Sequence, residues 1–317
     1  MKALIKILLI SIYTFMIGSC GINDVPSING CDWRNQGAAY SSCSDLLWSP
    51  VGDSIIYWNF LIKTILFIDS INAWTYWFDN EKSGLYSKSA SLNDTSHIIY
   101  KGDIIGTLDD WSKDGEWIIS LKNGIFSKMH PDGSGQVVLF NSPRQHMFIS
   151  RLSFSYDGTK IVYSDAGKIY IINSDGSNKH YICEGTWPHW TRNGRLIDYK
   201  AIPNPDHYYY ALRFIDTLTL KIDTIAILYY ISTFKPSPDG KYIAYRSMSG
   251  LNLFNLSDRT DTMLEGETAI DDWYDWSNKS DQIVYIRYSL CDYTKNNGQL
   301  WLLKLDGSKR QLTFPTE

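Results

Sequence analysis

From Asp45 to Glu317, short apolar runs alternate with polar positions at the two-residue period of half-buried strands. The stretch from Arg151 to Cys183 shows the unit most clearly. Arg151–Ser155 reads as a first short strand closed by the turn Tyr156-Asp157-Gly158. Lys160–Asp165 alternates around Ile161 and Tyr163, Ala166-Gly167 breaks it, and Lys168–Asn173 carries Ile169 and Ile171. Ser174-Asp175-Gly176-Ser177 turns the chain again before a fourth strand, Lys179–Cys183. Short strands joined by Asp-Gly and Gly turns predict an antiparallel meander.

The unit recurs six times. Each copy opens on an anchor residue, aromatic or proline, followed by Ser or Thr and a tight turn. The anchors are Trp48, Trp111, Phe154, Trp190, Pro236 and Trp276, spaced by 63, 43, 36, 46 and 40 residues. A period near 40 residues with four strands per unit predicts propeller blades, and the long first interval places an insertion of roughly 20 residues in blade one. The last strand, Arg310–Thr313, completes the sixth unit, so six blades can close without a strand borrowed from the N-terminus, and residues 21–44 are open to adding one. The turn departs from Asp-Gly at Gly52-Asp53, Asn193-Gly194 and Lys279-Ser280, which predicts irregular blades there.

The string from Pro236 to Tyr245 and the stretch Phe154–Ser177 resemble the WD40-like repeats of TolB-type propellers, and the resemblance spans residues 45 to 317. It implies an all-β, six-bladed propeller of four-stranded antiparallel blades. It implies no chemistry, because such propellers serve as scaffolds, as peptidase subdomains and as lyases.

The front of the chain has a different character. Lys2 and Lys6 precede the apolar run Leu8–Ile17, a secretory pattern too short to cross a membrane, which takes about 20 apolar residues. Ile17-Gly18-Ser19-Cys20 resembles the lipobox of bacterial lipoproteins. The resemblance implies cleavage before Cys20, lipidation of its thiol, and anchoring in the cell envelope, with Gly21 favouring the outer membrane. The expected division is a signal peptide over 1–19, a lipid anchor and tether over 20–44, and the propeller over 45–317. Loss of residues 1–19 takes the net charge from −4 to −6, which gives no footprint for nucleic acid. Of the remaining cysteines, Cys31 and Cys43 share one irregular segment and are the expected disulfide, while Cys183 and Cys291 sit in or beside strands as candidate free thiols.

Chemistry is sparse. There is no G-x-S-x-G, H-E-x-x-H, phosphate-binding loop or dinucleotide fingerprint, and the six histidines follow no ligand spacing, so no metal or cofactor is expected. Two residue sets stand out. The position before each anchor lies on the strand nearest the axis, which brings Asp110, His189, Lys235 and Asp275, with Leu47 and Ser153, toward a central channel. Strand parity puts the long segments on the face opposite the Asp-Gly turns. That face then carries Trp74, Tyr76, Trp77 and Phe78 in blade one, His207, Tyr208, Tyr209 and Tyr210 in blade four, and Tyr293 in blade six. The expected function is a non-enzymatic envelope scaffold that engages a protein partner through this aromatic face. The alternative is a carbohydrate-binding or polysaccharide-cleaving propeller, because aromatic platforms also stack on sugar faces.

Overall fold

The computed structural model describes residues 40–68, 73–78, 83–90, 96–101, 107–122, 124–141, 149–204, 209–266, 270–287 and 298–313. Six antiparallel sheets follow one another along the chain, and no helix occurs among the described residues. Blade one holds β1 (Tyr40–Trp48), β2 (Ser54–Ile68), β3 (Ala73–Phe78), β4 (Gly84–Ser89) and β5 (His97–Lys101). Blade two holds β6 (Thr107–Trp111), β7 (Ile118–Lys122), β8 (Ile125–Met129) and β9 (Val137–Asn141). β10 (Ile149–Phe154), β11 (Lys160–Asp165), β12 (Lys168–Asn173) and β13 (His180–Glu184) make blade three. Blade four is β14 (Thr186–Trp190), β15 (Leu196–Ile202), β16 (Tyr209–Ile215) and β17 (Ile222–Tyr229). Blade five is β18 (Thr233–Pro236), β19 (Tyr242–Ser247), β20 (Gly250–Asn255) and β21 (Asp261–Glu265). β22 (Ile270–Trp276), β23 (Gln282–Arg287), β24 (Gln299–Lys304) and β25 (Lys309–Gln311) complete blade six. In blades two to six the strands pair in sequence order. The molecule is an all-β, six-bladed propeller.

Blade one differs as its long first interval requires. β1 begins at Tyr40, ahead of the boundary read at residue 45. β2 pairs with β4 over Ser54–Asn59 and then runs on, pairing with β3 from Ile62 to Ile68. The insertion is therefore a β-hairpin extending one strand of the blade past its edge.

The core lies between blades, in six clusters. Leu47, Ile56 and Trp58 of blade one meet Leu108, Trp111 and Ile118 of blade two. Ile55 and Tyr57, on the other face of β2, meet Val284, Ile286, Leu300 and Leu302 of blade six. The other four interfaces repeat this arrangement. Each second strand is thus buried on both faces, which corrects the simple alternation read for Lys160–Asp165: Val162 and Ser164 are as buried as Ile161 and Tyr163. A sheet sandwiched between neighbours has no wet face, so its central strand reads as a continuous apolar run. Outer strands such as β17 keep the alternation.

The repeated motif is explained by its turn. In blade three the Ser155 hydroxyl donates to Asp157 Oδ1 at 2.6 Å and accepts the Lys160 N–H at 2.9 Å, while the Gly158 N–H closes onto the Ser155 carbonyl. Blades two and five repeat all three bonds with Ser112 and Ser237. The hydroxyl relays between turn and next strand, and Gly supplies the left-handed backbone. Blades four and six, expected to be irregular, close in the same way. Gly194 bonds back to Thr191, and Ser280 bonds back to Ser277 with Ser280 itself at φ 59°. Blade four is shorter by one residue, its Thr191 N–H reaching Arg195. The blade-one turn differs in another way, with the Ser49 hydroxyl bonded to the Val51 backbone.

Candidate functional site

A recess of about 250 Å³ opens at the axis on the face formed by the first turn of each blade. It is built from three positions of the repeat. All six anchors line it. So do five of the six residues that precede an anchor: Asp110, Ser153, His189, Lys235 and Asp275. The rim comes from the residue two places after each anchor, namely Pro50, Lys113, Tyr156, Arg192, Pro238 and Asn278. The recess therefore lies opposite the face onto which strand parity puts the long segments.

The residues before the anchors join neighbouring blades. Asp110 accepts the N–H of Trp111 at 2.9 Å and that of Phe154, in the next blade, at 2.8 Å. Asp275 does the same for Trp276 and Trp48, both at 2.9 Å, and so ties the last blade to the first. Its other partner is the Lys235 ammonium, also at 2.9 Å. Ser153 accepts the Trp190 N–H at 3.3 Å. Burial raises the pKa of Asp110, and Lys113, Lys235 and its two amide donors oppose the rise. His189 is buried edge-on to Phe234, and its Nε2 has no hydrogen-bond partner. Burial, helped by the charges of Lys235, Arg151 and Lys113, holds its pKa well below the usual histidine range, so the ring is neutral at pH 7.

One layer deeper, the channel is crossed. The inner strands of five blades shift register just before the anchor, as β-bulges do. Arg151, in the bulge of β10, sets its guanidinium 3.9 Å from the ring centroid of Trp273 and 5.4 Å from that of Trp187. Trp273 belongs to blade six, diametrically opposite blade three, so the pair spans the axis beneath the recess. Trp187 takes φ 54°, a left-handed backbone that a bulky residue adopts only under constraint. Asp109, the bulged residue of β6, is buried, and burial lifts its pKa to about 7 against the pull of Arg151 and a bond from Thr107.

The other expected residues fall elsewhere. Trp74, Tyr76, Trp77 and Phe78 lie on β3, in register with Phe67, Ile65, Thr64 and Ile62 of β2. Tyr209 and Tyr210 are half-buried strand residues of β16, their rings edge-on to Tyr229 and Tyr199. His207, Tyr208, Tyr293, Cys20 and Cys31 lie outside the described residues, and Cys43 is in β1. Cys183 is a free, half-buried thiol whose pKa burial raises. Among the described residues, no three His, Cys, Asp or Glu side chains are placed to hold a metal ion.

Sequence reasoning missed the rim and the deeper layer. The rim had a signal. Within a motif otherwise nearly constant, the position two after the anchor reads Pro, Lys, Tyr, Arg, Pro and Asn. The Arg151–Trp273 contact had none, because it depends on bulges that re-aim two inner strands.

No family model matches the chain, and no curated protein matches it by sequence. Solved structures do. TolB from Acinetobacter baumannii is similar at a TM-score of 0.60 and 13% identity, over 86% of this chain and 78% of that one. A putative TolB from Agrobacterium tumefaciens gives 0.56 and 15%, over 70% and 86%. An oligogalacturonate lyase in complex with manganese gives 0.51 and 12%, over 86% and 94%. At these identities the likeness is one of fold: the chain has a TolB-like propeller.

Proposed function

We propose that this chain is a non-enzymatic, lipid-anchored scaffold of the cell envelope that holds a protein partner at the recess on the turn face of its propeller. The observation that carries this reading is the use to which the recess carboxylates are put. Asp110 and Asp275 each accept two backbone N–H groups from adjacent blades. A carboxylate fixed in that way joins blades, and structural networks of this kind perturb a pKa without serving acid–base chemistry. What is left facing outward is a rim whose side chains vary from blade to blade on a rigid frame, the usual arrangement of a binding surface.

The leader sequence and Cys20 support export and anchoring, and the TolB-like fold is compatible with an envelope role. The β2–β3 hairpin, with Trp74 and Trp77, is the competing docking surface on the opposite face. The test is mild-detergent purification from native envelopes of the full chain and of a Lys113→Glu, Arg192→Glu variant shown to be folded. A stoichiometric partner recovered with the first and lost with the second supports the reading. A partner retained by the variant overturns it.

A further inference from the structure

The second strand of each blade runs five to seven residues, except β2, which runs fifteen. Its first part belongs to the blade: β4 pairs with it as far as Asn59 and β1 as far as Ile62. From Thr64 to Ile68, β3 is its only partner among the described strands. The projecting part is a two-stranded ribbon, an element that is marginal at best in water by itself. Its sequence is not that of a wetted ribbon. Phe60–Ile68 holds one charge, Lys63, in nine residues, and Ala73–Phe78 holds none.

The register sorts the ribbon into two unlike faces. A shift between Ile62 and Thr64 leaves Lys63 out of the ladder. Beyond it Ile65 stands opposite Tyr76 and Phe67 opposite Trp74, and directly opposed residues of an antiparallel pair share a face. One face therefore consists of Ile65, Phe67, Trp74 and Tyr76, while Thr64 and Thr75 fall on the other. Trp and Tyr are the residues that concentrate where a membrane meets water, because each joins an apolar ring to a polar N–H or O–H.

The place of the ribbon names the surface it meets. Tyr40, the first described residue, stands opposite Ile62 at the ribbon's base. Cys20 precedes it by twenty residues, which keeps a lipid on that cysteine within about 70 Å of the base however the intervening chain runs. Chain entry and ribbon thus share one end of the propeller. β1 runs from there to Trp48, which lines the recess, so the recess is at the other end, about 30 Å away.

Resting on the lipid-anchored reading above, we infer that the β2–β3 ribbon is a second membrane contact. It is laid along the headgroup boundary of the bilayer that holds the anchor, with the face of Ile65, Phe67, Trp74 and Tyr76 toward the acyl chains. The ribbon lies flat, as interfacial elements do. Upright, it would carry Asp69 and two strand edges that no described strand pairs into hydrocarbon, where neither is tolerated. An anchor holds the chain at the membrane, and a second contact at the same end sets which way the propeller faces. The recess then turns away from that membrane, toward a partner that reaches it from the far side.

The test is photo-cross-linking of the full chain, purified in detergent and returned to vesicles of phosphatidylethanolamine and phosphatidylglycerol. A photo-activated residue placed singly at Trp74 should give adducts one phospholipid heavier, in a yield that added salt does not lower. The same residue at Tyr156 on the rim should give none. Phe67→Ser with Tyr76→Ser should cut the yield from position 74 about tenfold or more while the thermal midpoint stays within a few degrees. No phospholipid adduct from position 74, an equal yield from position 156, or an adduct to a second copy of the chain in place of lipid overturns the inference. The intact mass reports lipidation of Cys20 separately. A chain without that lipid that still gives adducts from position 74 keeps the ribbon contact and loses the anchor. If a lipidated chain gives no adduct while its partner capture depends on Lys113 and Arg192, the scaffold reading stands and only the ribbon contact falls.

Discussion

Asp275 of the last blade accepts the backbone N–H of Trp48 in the first at 2.9 Å, a bond between residues 227 positions apart. Among the described residues no strand is exchanged at this junction, and side chains tie the two blades together. Asn278 donates to the Gly52 carbonyl at 3.0 Å, Arg310 donates to the Ala90 carbonyl, and an apolar cluster fills the space between the blades. Asp275→Ala removes the acceptor of two amides and leaves Lys235 buried without its counter-ion. The expected loss is about 3 kcal/mol, at the lower end for a broken buried pair. Asp110→Ala, which leaves the buried Lys235 paired with Asp275, should cost about 1–2 kcal/mol. Urea unfolding of the two variants checks the order.

Ser280 occupies the turn position that Gly fills in the blades with a regular turn, at φ 59°. Its hydroxyl accepts the Asp239 N–H at 2.9 Å, a bond to the neighbouring blade that Gly cannot make. Strain and bond are each worth about 1 kcal/mol. Ser280→Gly should therefore change stability by less than about 0.5 kcal/mol, whereas Ser280→Ala keeps the strain, loses the bond and should cost about 1 kcal/mol. Thermal midpoints of the two variants measure the difference.

Gly185 sits where a Cβ would lie 1.9 Å from Asp198 Oδ2 and 2.6 Å from an Arg213 nitrogen. Asp198 and Arg213 form a buried ion pair, and the Glu184 carbonyl accepts from the same guanidinium at 2.7 Å. Gly185→Ala must displace that pair and should cost about 3 kcal/mol or more. Gly158→Ala meets nothing within 4 Å and carries only the strain of φ 70°, about 1–2 kcal/mol. Denaturant midpoints separate the two.

Burial gives Asp109 a pKa of about 7 and Asp198 one of about 6, both above the ordinary 3.8. Between 3.8 and these values the folded chain holds protons that the unfolded chain has lost, so stability falls as pH rises through about 4 to 7. Exposed turn carboxylates act oppositely. Hydroxyl and amide donors lower the pKa of Asp157 and Asp175, whose contribution is lost as pH falls below 3.8. These groups together should therefore place the stability maximum at about pH 4, with a decline from there toward pH 7. Asp109→Asn should flatten the decline toward pH 7, as thermal unfolding at a series of pH values will show.

The fold was legible because each blade repeats its own turn chemistry, and a Ser hydroxyl that relays between turn and strand leaves the same letters every time. The channel positions were legible from their offset to the anchor. Their roles were not, since whether Asp275 faces the open channel or binds Trp48 depends on how the ring closes. The rim residues Lys113 and Arg192 looked like ordinary turn residues until six turns were brought around one axis. The Arg151–Trp273 crossing was out of reach, because a bulge changes where a side chain points without a fixed mark in the sequence.

The central claim is that the turn-face recess is the binding surface. A photo-activated cross-linker placed singly at Tyr156 on the rim, at Trp77 on the opposite hairpin and at Ile227 on the outer strand β17 tests it in intact envelopes. The account predicts one discrete protein adduct from position 156 and none from position 227. The same adduct from position 77, with none from position 156, would contradict it.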